Sequence, residues 1–427
     1  MRNILPSFSI IFFAAACGPQ KKGPPFSLQE KHRVIVSTDI GGTDPDDFQS
    51  LIHYLMYADR FHTEGLISSP YGDGRVTDIH RILDLYEQDF PKLKARSDFP
   101  EPSALRAAVK QGAIDRTPAK GWSEPSEGSE WIIERARINH SQPLWVLVWG
   151  GLEDVAQALH DAPDIAENIR VYWIGGPNKK WSINAYLYMA ENFPGLWMIE
   201  ANSTYRGWFI EDGDNGEYGN KTYYERVIKG RGAMGKDFGS YYGGELKMGD
   251  SPTVAYLLNG SPGDPAGESW GGSFELLPFS AKRVFWQNTS LNDIVPTYSV
   301  VEWVYQVEQK DSGDNPSLWF DIDNQRIGGF YEGDGKFRIR FSPKNSGEWR
   351  YVSHSSIKEL DGMRGEFASA NPWPGEPFRD NINPLNNWWS DRRDENLYLG
   401  DYQGAKTISK WRKEYLSDWE ERWKWLE

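Results

Sequence analysis

Residues 33–51, RVIVSTDIGGTDPDDFQSL, form the stretch that decides the fold. The β-branched run Val34–Ser37 predicts a buried strand, and a glycine-rich turn follows it. Apolar residues then recur with the spacing of one helix face over Phe48–Leu55. Asp44 stands where a helix N-cap is expected, with Pro45 as the first helical residue. The stretch therefore predicts a strand, a tight turn and a helix.

Four aspartates crowd into this turn: Asp39, Asp44, Asp46 and Asp47. A strand-to-helix turn lies at the carboxyl end of its strand, where open α/β sheets bind ligands. One or two carboxylates could cap the helix and oppose its dipole, but four would repel one another unless a cation or sugar hydroxyls compensated them. Carboxylate oxygens without a nearby cysteine suit Ca²⁺ or Mg²⁺ rather than zinc. The spacing leaves open a metal or polyol site and, alternatively, helix capping alone.

The composition excludes one class of partner and is compatible with another. The 427 residues carry a formal net charge of -14, which argues against a nucleic-acid polymer as a ligand because such proteins need a basic surface. Aromatic residues make up 14% of the chain, including 20 Trp. Buried structural tryptophan explains this excess, and so would the stacking of sugar rings on indole faces.

Cys17 is the one cysteine of the chain, so no internal disulfide can form. It follows a short apolar stretch from Ile10 and the small residues Ala14–Ala16, a pattern that predicts a signal peptide over residues 1–17 and resembles a bacterial lipobox. The apolar run is too short to span a membrane. We expect a lipid-anchored protein of the bacterial cell envelope, with a tether over residues 18–30; plain secretion is the alternative.

Strands and helices alternate along the chain to about residue 282. The predicted strands after the first are Glu64–Ser69, Leu144–Trp149, Ile169–Ile174 and Leu196–Ile199. The predicted helices include Thr77–Tyr86, Glu130–Ile138 with Ser129 as its N-cap, Ala185–Asn192, and one that begins at Asp250. The glycine-rich segment Gly230–Gly249 is predicted to be a loop. This alternation predicts an α/β fold with an open, mostly parallel sheet and helices on both faces.

The character of the chain changes after about residue 280. Lys336–Phe341 and Glu348–Val352 alternate strictly between apolar and polar residues, and turn residues separate them, which predicts a small antiparallel β-sandwich. The chain ends in a helix from about Ala405 with an aromatic stripe. We expect that stripe to dock onto the main domain.

Four motifs, in chain order, resemble those of nucleoside hydrolases. They are Asp39 with Asp46-Asp47, the segment Val148–Ala156, Ile174–Gly176, and Gly249-Asp250 before Val254-Ala255. Over residues 33–275 the chain is more closely similar to the nucleoside hydrolase-like proteins described as cellulose-binding in polysaccharide-degrading bacteria. The similar stretches are 37–49, 64–71, 145–161, 175–181 together with 184–186, 202–208 and 247–272.

The resemblance also implies how the chain is divided. A nucleoside hydrolase-like domain is expected over residues 31–282. Residues 328–349 resemble an Ig-like module attached to some glycoside hydrolases, and residues 283–370 are expected to be an inserted Ig-like β-sandwich. Residues 371–427 are expected to return to the hydrolase-like domain.

A calcium site follows from the resemblance. It implies Ca²⁺ held by Asp39, Asp47, Asp250 and the backbone carbonyl of Trp149. Asp39 would also be the general base for a metal-bound water that attacks the anomeric carbon.

The resemblance implies that Asp46 contacts sugar hydroxyls and, more loosely, that Asn184 binds the sugar. Asn202 and Trp270 are further candidates for substrate contact, although Asn202 could instead hold a turn and Trp270 could be packed rather than stacked on sugar. The implied activity is Ca²⁺-dependent hydrolysis of an N- or O-linked glycosidic bond in a sugar-containing small molecule or an oligosaccharide. The related hydrolases commonly self-associate, so a homo-oligomer is expected as well.

This chain departs from the nucleoside hydrolase pattern at three places. Three extra residues separate Asp39 from Asp46, Ser37 replaces the first aspartate of the family triplet, and Gly249 replaces the histidine that helps the base leave. The last change argues against a nucleoside substrate and leaves open an O-linked sugar. The acid for its leaving group would come from Tyr205, Glu200 or His53.

Two other functions stay open at this stage. A non-catalytic carbohydrate-binding lipoprotein would keep the pocket without turnover. A phosphatase with an Asp-x-Asp motif after its first strand is disfavoured because Asp39-Ile40-Gly41 lacks the second aspartate.

Overall fold

The computed structural model describes residues 31–70, 72–308 and 317–427. The predicted signal peptide with Cys17 and the predicted tether lie outside the described residues. Within the described ranges, no helix combines the length and hydropathy needed to cross a bilayer. From His32 to Glu427 these residues form a single compact unit.

Strands and helices alternate through the first part of this unit, and strands dominate the middle. The strands are β1 His32–Thr38, β2 Phe61–Ser68, β3 Val109–Gln111, β4 Leu144–Val148, β5 Ile169–Ile174, β6 Trp197–Ala201, β7 Phe274–Leu276, β8 Lys282–Phe285, β9 Ile294–Pro296, β10 Val300–Gln306, β11 Leu318–Ile322, β12 Gln325–Gly328, β13 Phe330–Gly333, β14 Lys336–Phe341, β15 Gly347–Ser355, β16 Arg364–Ala370 and β17 Trp388–Asp391. The α-helices are α1 Asp46–Met56, α2 Val76–Lys94, α3 Pro102–Ala107, α4 Glu127–Ala136, α5 Glu153–Asp161, α6 Asn178–Trp181, α7 Ile183–Asn192, α8 Asn220–Tyr223, α9 Gly232–Phe238, α10 Ser251–Leu258, α11 Lys406–Ser409 and α12 Arg412–Trp423.

The main sheet has the strand order β3-β2-β1-β4-β5-β6-β17-β7 among the described residues. Every neighbouring pair is parallel except β17 and β7. All five residues of β4 are buried, as expected for a central strand with both faces covered. Trp145 and Leu147 belong to the hydrophobic core on one face, whereas Val146 and Val148 belong to the core on the other. The predicted α/β fold with helices on both faces is therefore confirmed.

A β-sandwich lies between the last two strands of this sheet along the chain. Its two sheets have the orders β13-β14-β10-β8 and β12-β11-β15-β16-β9. They enclose a core in which Trp303, Phe320 and Phe367 are fully buried. The chain leaves the main sheet after β7 and returns at β17, which inserts between β6 and β7. The Ig-like class and the domain limits at residues 282 and 370 stay predictions.

Three local expectations were wrong. Helix α1 begins at Asp46 with Pro45 at the N-cap position, and Asp44 instead pairs with Lys247 and Tyr242. The predicted loop Gly230–Gly249 contains α9. Tertiary partners unavailable to a local pattern decide both cases: Lys247 recruits Asp44, and Asp89 accepts the N–H groups at the start of α9.

The third concerns α4, whose N-cap is Ser126 rather than Ser129. Ser129 occupies the third helical position and completes a reciprocal capping box with Ser126. The helix therefore begins three residues earlier than expected.

The C-terminal helix docks onto the main domain, as predicted. Trp419 and Trp423 of α12 are buried in the core that also contains α1. Arg422 donates to the carbonyl of Met56 at 2.8 Å and pairs with Asp59 at 2.6 Å. The aromatic stripe is therefore part of the core.

Candidate functional site

Three carboxylates from two distant segments converge at the carboxyl edge of the main sheet. Asp46 and Asp47 open α1, and Asp250 immediately precedes α10. One oxygen from each lies within 4.8 Å of the others. Asp250 occupies the N-cap position, but its side chain makes no capping hydrogen bond. It therefore points to the other carboxylates instead of to its own helix.

Hydrogen bonds from neutral donors fix these carboxylates in place. Ser50 Oγ donates to Asp250 Oδ2 at 3.2 Å, and the backbone N–H of Gly249 donates to Asp46 Oδ2 at 3.1 Å. Thr38 Oγ1 donates to Asp47. Each aspartate thus has a neutral hydrogen-bond donor that holds its position without supplying a positive charge.

Asp39 joins this group from the end of β1. Its carboxyl group lies within hydrogen-bonding reach of Asp47. A Cβ atom built on Gly150 would lie 2.7 Å from the Cβ of Asp39. The glycine after Trp149 is therefore required because β4 must approach Asp39 this closely.

Gly249, where the nucleoside hydrolase pattern has a histidine, also has a steric reason. A Cβ atom at this position would lie 2.4 Å from Asp46 Oδ2. Any side chain there would displace the carboxylate that the Gly249 N–H holds. A glycine in place of the histidine is therefore what allows Asp46 to occupy this position.

The electrostatics of the cluster favour a cation. Burial and the charge of Asp46 raise the pKa of Asp39 to about 7. Burial, followed by the charges of Asp44 and Asp47, raises the pKa of Asp46. Burial also raises the pKa values of Asp47 and Asp250 well above the usual range. Four mutually repelling carboxyl groups held by neutral donors match the oxygen-rich donor set that Ca²⁺ or Mg²⁺ takes, so the residues present fit a divalent cation.

The carboxylates line a cavity of about 560 Å³. The lining consists of Asp39, Thr43, Asp44, Asp46, Asp47, Arg116, Trp149, Ile174, Pro177, Asn178, Lys180, Trp181, Tyr205, Asp250, Gln325 and Lys344. Gln325 and Lys344 belong to the β-sandwich and the other lining residues to the α/β part. The insertion therefore completes one wall of the cavity.

The backbone of Trp149 is held at the cavity. Its N–H continues the β4 ladder by donating to the Ser37 carbonyl at 2.7 Å. Its carbonyl accepts a hydrogen bond from Asn178 Nδ2 at 2.7 Å. The indole N–H donates to Thr253 Oγ1 at 2.8 Å, which links the end of β4 to α10.

Three residues predicted to contact substrate are not among the residues that line this cavity. Asn184 donates to the Thr117 carbonyl at 3.0 Å and accepts from Arg340 at 2.8 Å, so its amide joins the two parts of the chain. Asn202 is fully buried and donates to Ser390 Oγ at 3.2 Å. Trp270 packs against the hydrophobic core. Other residues of the same three stretches, Trp181, Tyr205 and Asp250, do line the cavity, whereas these three side chains contact other parts of the protein.

Of the three candidate acids, only Tyr205 lines the cavity. Glu200 is fully buried and pairs with Lys179 at 3.4 Å. His53 is buried between the rings of Tyr57, Trp208 and Trp419.

Sequence reasoning missed Asn178 and the three cationic lining residues Arg116, Lys180 and Lys344. Asn178 and Lys180 fall within the Gly175–Trp181 similarity stretch, so that stretch was the available signal. Nothing in the local sequence around Arg116 or Lys344 marks them, because they reach the cavity only through the fold.

Two family models match parts of this chain. The family model described as "Cellulose-binding Sde182, nucleoside hydrolase-like domain" matches residues 33–274, and a model described as a domain of unknown function (DUF5060) matches residues 294–356. No curated protein matches the chain.

Among solved structures, the chain is similar to a nucleoside hydrolase-related hypothetical protein from Saccharophagus degradans that is associated with carbohydrate metabolism. The identity is 19%, the TM-score is 0.50, and the match covers 80% of this chain and 99% of that one. An inosine-uridine preferring nucleoside hydrolase from Bacillus anthracis is 15% identical, with a TM-score of 0.38 and coverage of 59% of this chain and 87% of that one. Because the first family model spans more than half of the chain, this protein belongs to the Sde182 family with a nucleoside hydrolase-like domain.

Proposed function

We propose that this protein is a Ca²⁺-dependent hydrolase that cleaves a glycosidic bond in a saccharide-containing molecule. The observation that carries the proposal is the convergence of Asp46, Asp47 and Asp250 within 4.8 Å at a cavity. Ser50 and Asp250, which hydrogen-bond to each other here, are 200 positions apart in sequence. Helix capping needs no such convergence, because a cap serves only its own helix.

The ion would be held by Asp47, Asp250 and the carbonyl of Trp149, together with Asp39 or Asp46. These groups are hard oxygen donors with two buried carboxylates among them, which is the donor set of a calcium site. When bound, Ca²⁺ lowers the pKa of water and orients it for attack.

Asp39 is the proposed general base. Its carboxyl group lies beside Asp47 and lines the cavity, so it can accept the proton of the attacking water. Asp46 is held by the Gly249 N–H and remains partly exposed to the cavity, where its free oxygen can accept hydrogen bonds from sugar hydroxyls. The two aspartates therefore take different roles by position.

Tyr205 is the group best placed to assist an O-linked leaving group. Burial raises the pKa of its hydroxyl, which keeps it protonated and able to donate to a leaving oxygen. His53 is not suitable, because burial lowers its pKa to about 3 and its ring is enclosed away from the cavity.

The second candidate function is saccharide binding without turnover. It is favoured by the description of the matched family as cellulose-binding and by the absence of a histidine at Gly249. Calcium calorimetry on the full chain, with Asp47→Ala as the variant, tests the metal site that both functions share. Tight binding that is lost in the variant supports the site, and no binding by the wild type contradicts it.

Asp39→Ala then separates the two functions. The hydrolase predicts release of reducing ends or free base from a panel of oligosaccharides and nucleosides. It also predicts that Asp39→Ala abolishes this release while saccharide affinity is retained. If the wild type binds saccharides without releasing products, the hydrolase proposal is wrong and the binding function is supported.

A further inference from the structure

The cavity has two walls of opposite charge. The aspartates occupy the end formed by β1, α1 and the start of α10, whereas Arg116, Lys180 and Lys344 line the rest of the wall with Trp181 and Gln325. Lys180 lies on α6 and Lys344 follows β14 of the sandwich. A ligand that fills this cavity therefore meets carboxylates on one side and cations on the other.

The two lysines share a single carboxylate. Asp323 Oδ2 lies 3.6 Å from Lys180 Nζ and 3.8 Å from Lys344 Nζ. Asp323 is presented by the turn between β11 and β12, where it has a φ of 53°. One negative charge cannot neutralise two ammonium groups, so a positive charge remains at this wall.

The cations are also close enough to repel one another. The Lys180 side chain is 3% exposed, and burial, then the charge of Lys344 and more weakly that of Arg116, lower its pKa. The Arg116 guanidinium lies 4.0 Å from the centre of the Trp181 ring, and Lys180 Nζ lies 4.6 Å from the same ring. Holding like charges together near a buried position costs free energy, unless a ligand anion compensates them.

A purely structural role for these cations is the competing explanation. The Lys180–Asp323 pair does connect the α/β part to the sandwich. That connection needs only one lysine, and Arg340 already links the two parts through Asn184 and the Ala119 carbonyl. The second lysine at the cavity wall is therefore in excess of what the junction requires.

We propose that the cavity binds a saccharide that carries an anionic group, a carboxylate or a sulfate, with the anion against Lys180 and Lys344 and a sugar ring at Asp46. This inference rests on the proposed function, because it takes the aspartate end as the sugar-binding end. A cavity of about 560 Å³ is in the usual range for small-ligand sites. Neutral glucans and nucleosides would add no negative charge to the two lysines that share Asp323.

The test compares ligands that differ only in charge. Calorimetry on the full chain with saturating Ca²⁺ measures the affinity for uronate trisaccharides and for their neutral methyl esters. Sulfated and unsulfated trisaccharides form the second arm, so the carboxylate and sulfate sources are distinguished. We expect at least one anionic ligand to bind about tenfold more tightly than its neutral partner, the effect of one charge-assisted contact.

Lys344→Gln is the variant and Lys336→Gln the matched control. Both lysines lie on the sandwich with similar exposure, 35% and 33%, and Lys336 pairs with Glu332 away from the cavity. We expect Lys344→Gln to remove most of the preference for the anionic ligand and leave the neutral ligand unaffected, while Lys336→Gln changes neither. Lys180→Gln should act in the same direction, and circular dichroism confirms that each variant is folded.

The outcomes distinguish a failure of this inference from a failure of the proposed function on which it rests. The anionic-saccharide proposal is wrong if charged and neutral ligands bind with equal affinity, or if Lys344→Gln does not reduce the preference for the charged ligand. Neither result contradicts the metal-dependent saccharide site. Calcium binding without affinity for any saccharide overturns both.

Discussion

Two groups of buried carboxylates lie at the same edge of the main sheet, and they are compensated in opposite ways. At the ends of β6 and β17, Glu200 pairs with Lys179, and Asp391 accepts backbone N–H groups. At the end of β1, the aspartates face one another. In the first group each carboxylate has a cation or three N–H donors, whereas in the second group the carboxylates repel one another and Asp46, Asp47 and Asp250 are held by neutral donors. Burial of charge alone therefore does not mark a functional site; the crowding of several carboxylates without a compensating charge does.

The first group is compensated in detail. Lys179 Nζ is 3.4 Å from Glu200 and lies 4.2 Å and 4.3 Å from the ring centres of Tyr186 and Trp373. The Asp391 carboxylate accepts N–H groups from three consecutive residues at 3.2, 2.7 and 3.1 Å, namely Asn202, Ser203 and Thr204. This part of the sheet therefore joins the returning C-terminal segment to the α/β part.

The largest expected effect is on the Glu200 pair. Lys179→Met leaves Glu200 buried without its cation and should lower the free energy of unfolding by about 3–5 kcal/mol. Denaturant unfolding measures the change. The double variant Lys179→Met with Glu200→Leu should recover most of the loss, because it removes the uncompensated charge. If Lys179→Met is as stable as the wild type, Lys179 does not compensate Glu200 and the two groups do not differ in this way.

Asp391→Asn should destabilise the protein by about 2 kcal/mol. An amide has one acceptor oxygen for three N–H donors, so buried donors lose their partner. The control is Asp401→Asn at an exposed position, which should change the free energy of unfolding by less than about 0.5 kcal/mol. Equal effects of the two substitutions would show that the N–H contacts of Asp391 contribute little.

A buried histidine on α1, His53, makes the stability of the protein depend on pH. Burial and the charge of Arg422 lower the pKa of His53 from its usual value of about 6.5 to about 3, so the unfolded chain takes up the proton first as pH falls. The stabilisation is complete above about pH 6.5. It should be lost at about 1.4 kcal/mol per pH unit as pH falls below that value towards 3.

Unfolding measured from pH 7 to 5 in saturating Ca²⁺ tests this, since an ion at the proposed site would keep the aspartate cluster from titrating. His53→Gln changes the free energy of unfolding itself, and it should also reduce the slope of that free energy against pH. An unchanged slope in the variant would assign the pH dependence to other groups.

The smallest effect has the opposite sign. In the presence of a chelator, Asp47→Asn should raise the free energy of unfolding by about 1 kcal/mol, because it removes one of the mutually repelling charges and keeps an acceptor for Thr38. Thermal unfolding without and with Ca²⁺ provides the measurement. The wild type should gain stability from Ca²⁺ and the variant should not. Destabilisation of the calcium-free variant would mean that Asp47 is already compensated by the protein.

The local parts of the fold and site were predictable. Residues 33–51 carry the strand, the turn and the start of the helix within one segment, and the predicted strand Ile169–Ile174 matches β5 at both ends. Asp250 was expected to meet the first cluster only because four motifs occur in a familiar order. By contrast, the place of Asn184 was not predictable, because Arg340 of the sandwich holds its amide.

The sequence by itself determined the alternation of strands and helices, the position of the aspartate turn and the family. These follow from periodicity, turn residues and motifs, which act over a few neighbouring positions. Only the tertiary structure decided that β17 inserts between β6 and β7, and that the sandwich brings Lys344 and Gln325 to the cavity of the aspartates. Those contacts join residues far apart in the chain. Their free energy is gained only after the whole loop has closed, so no local pattern records them.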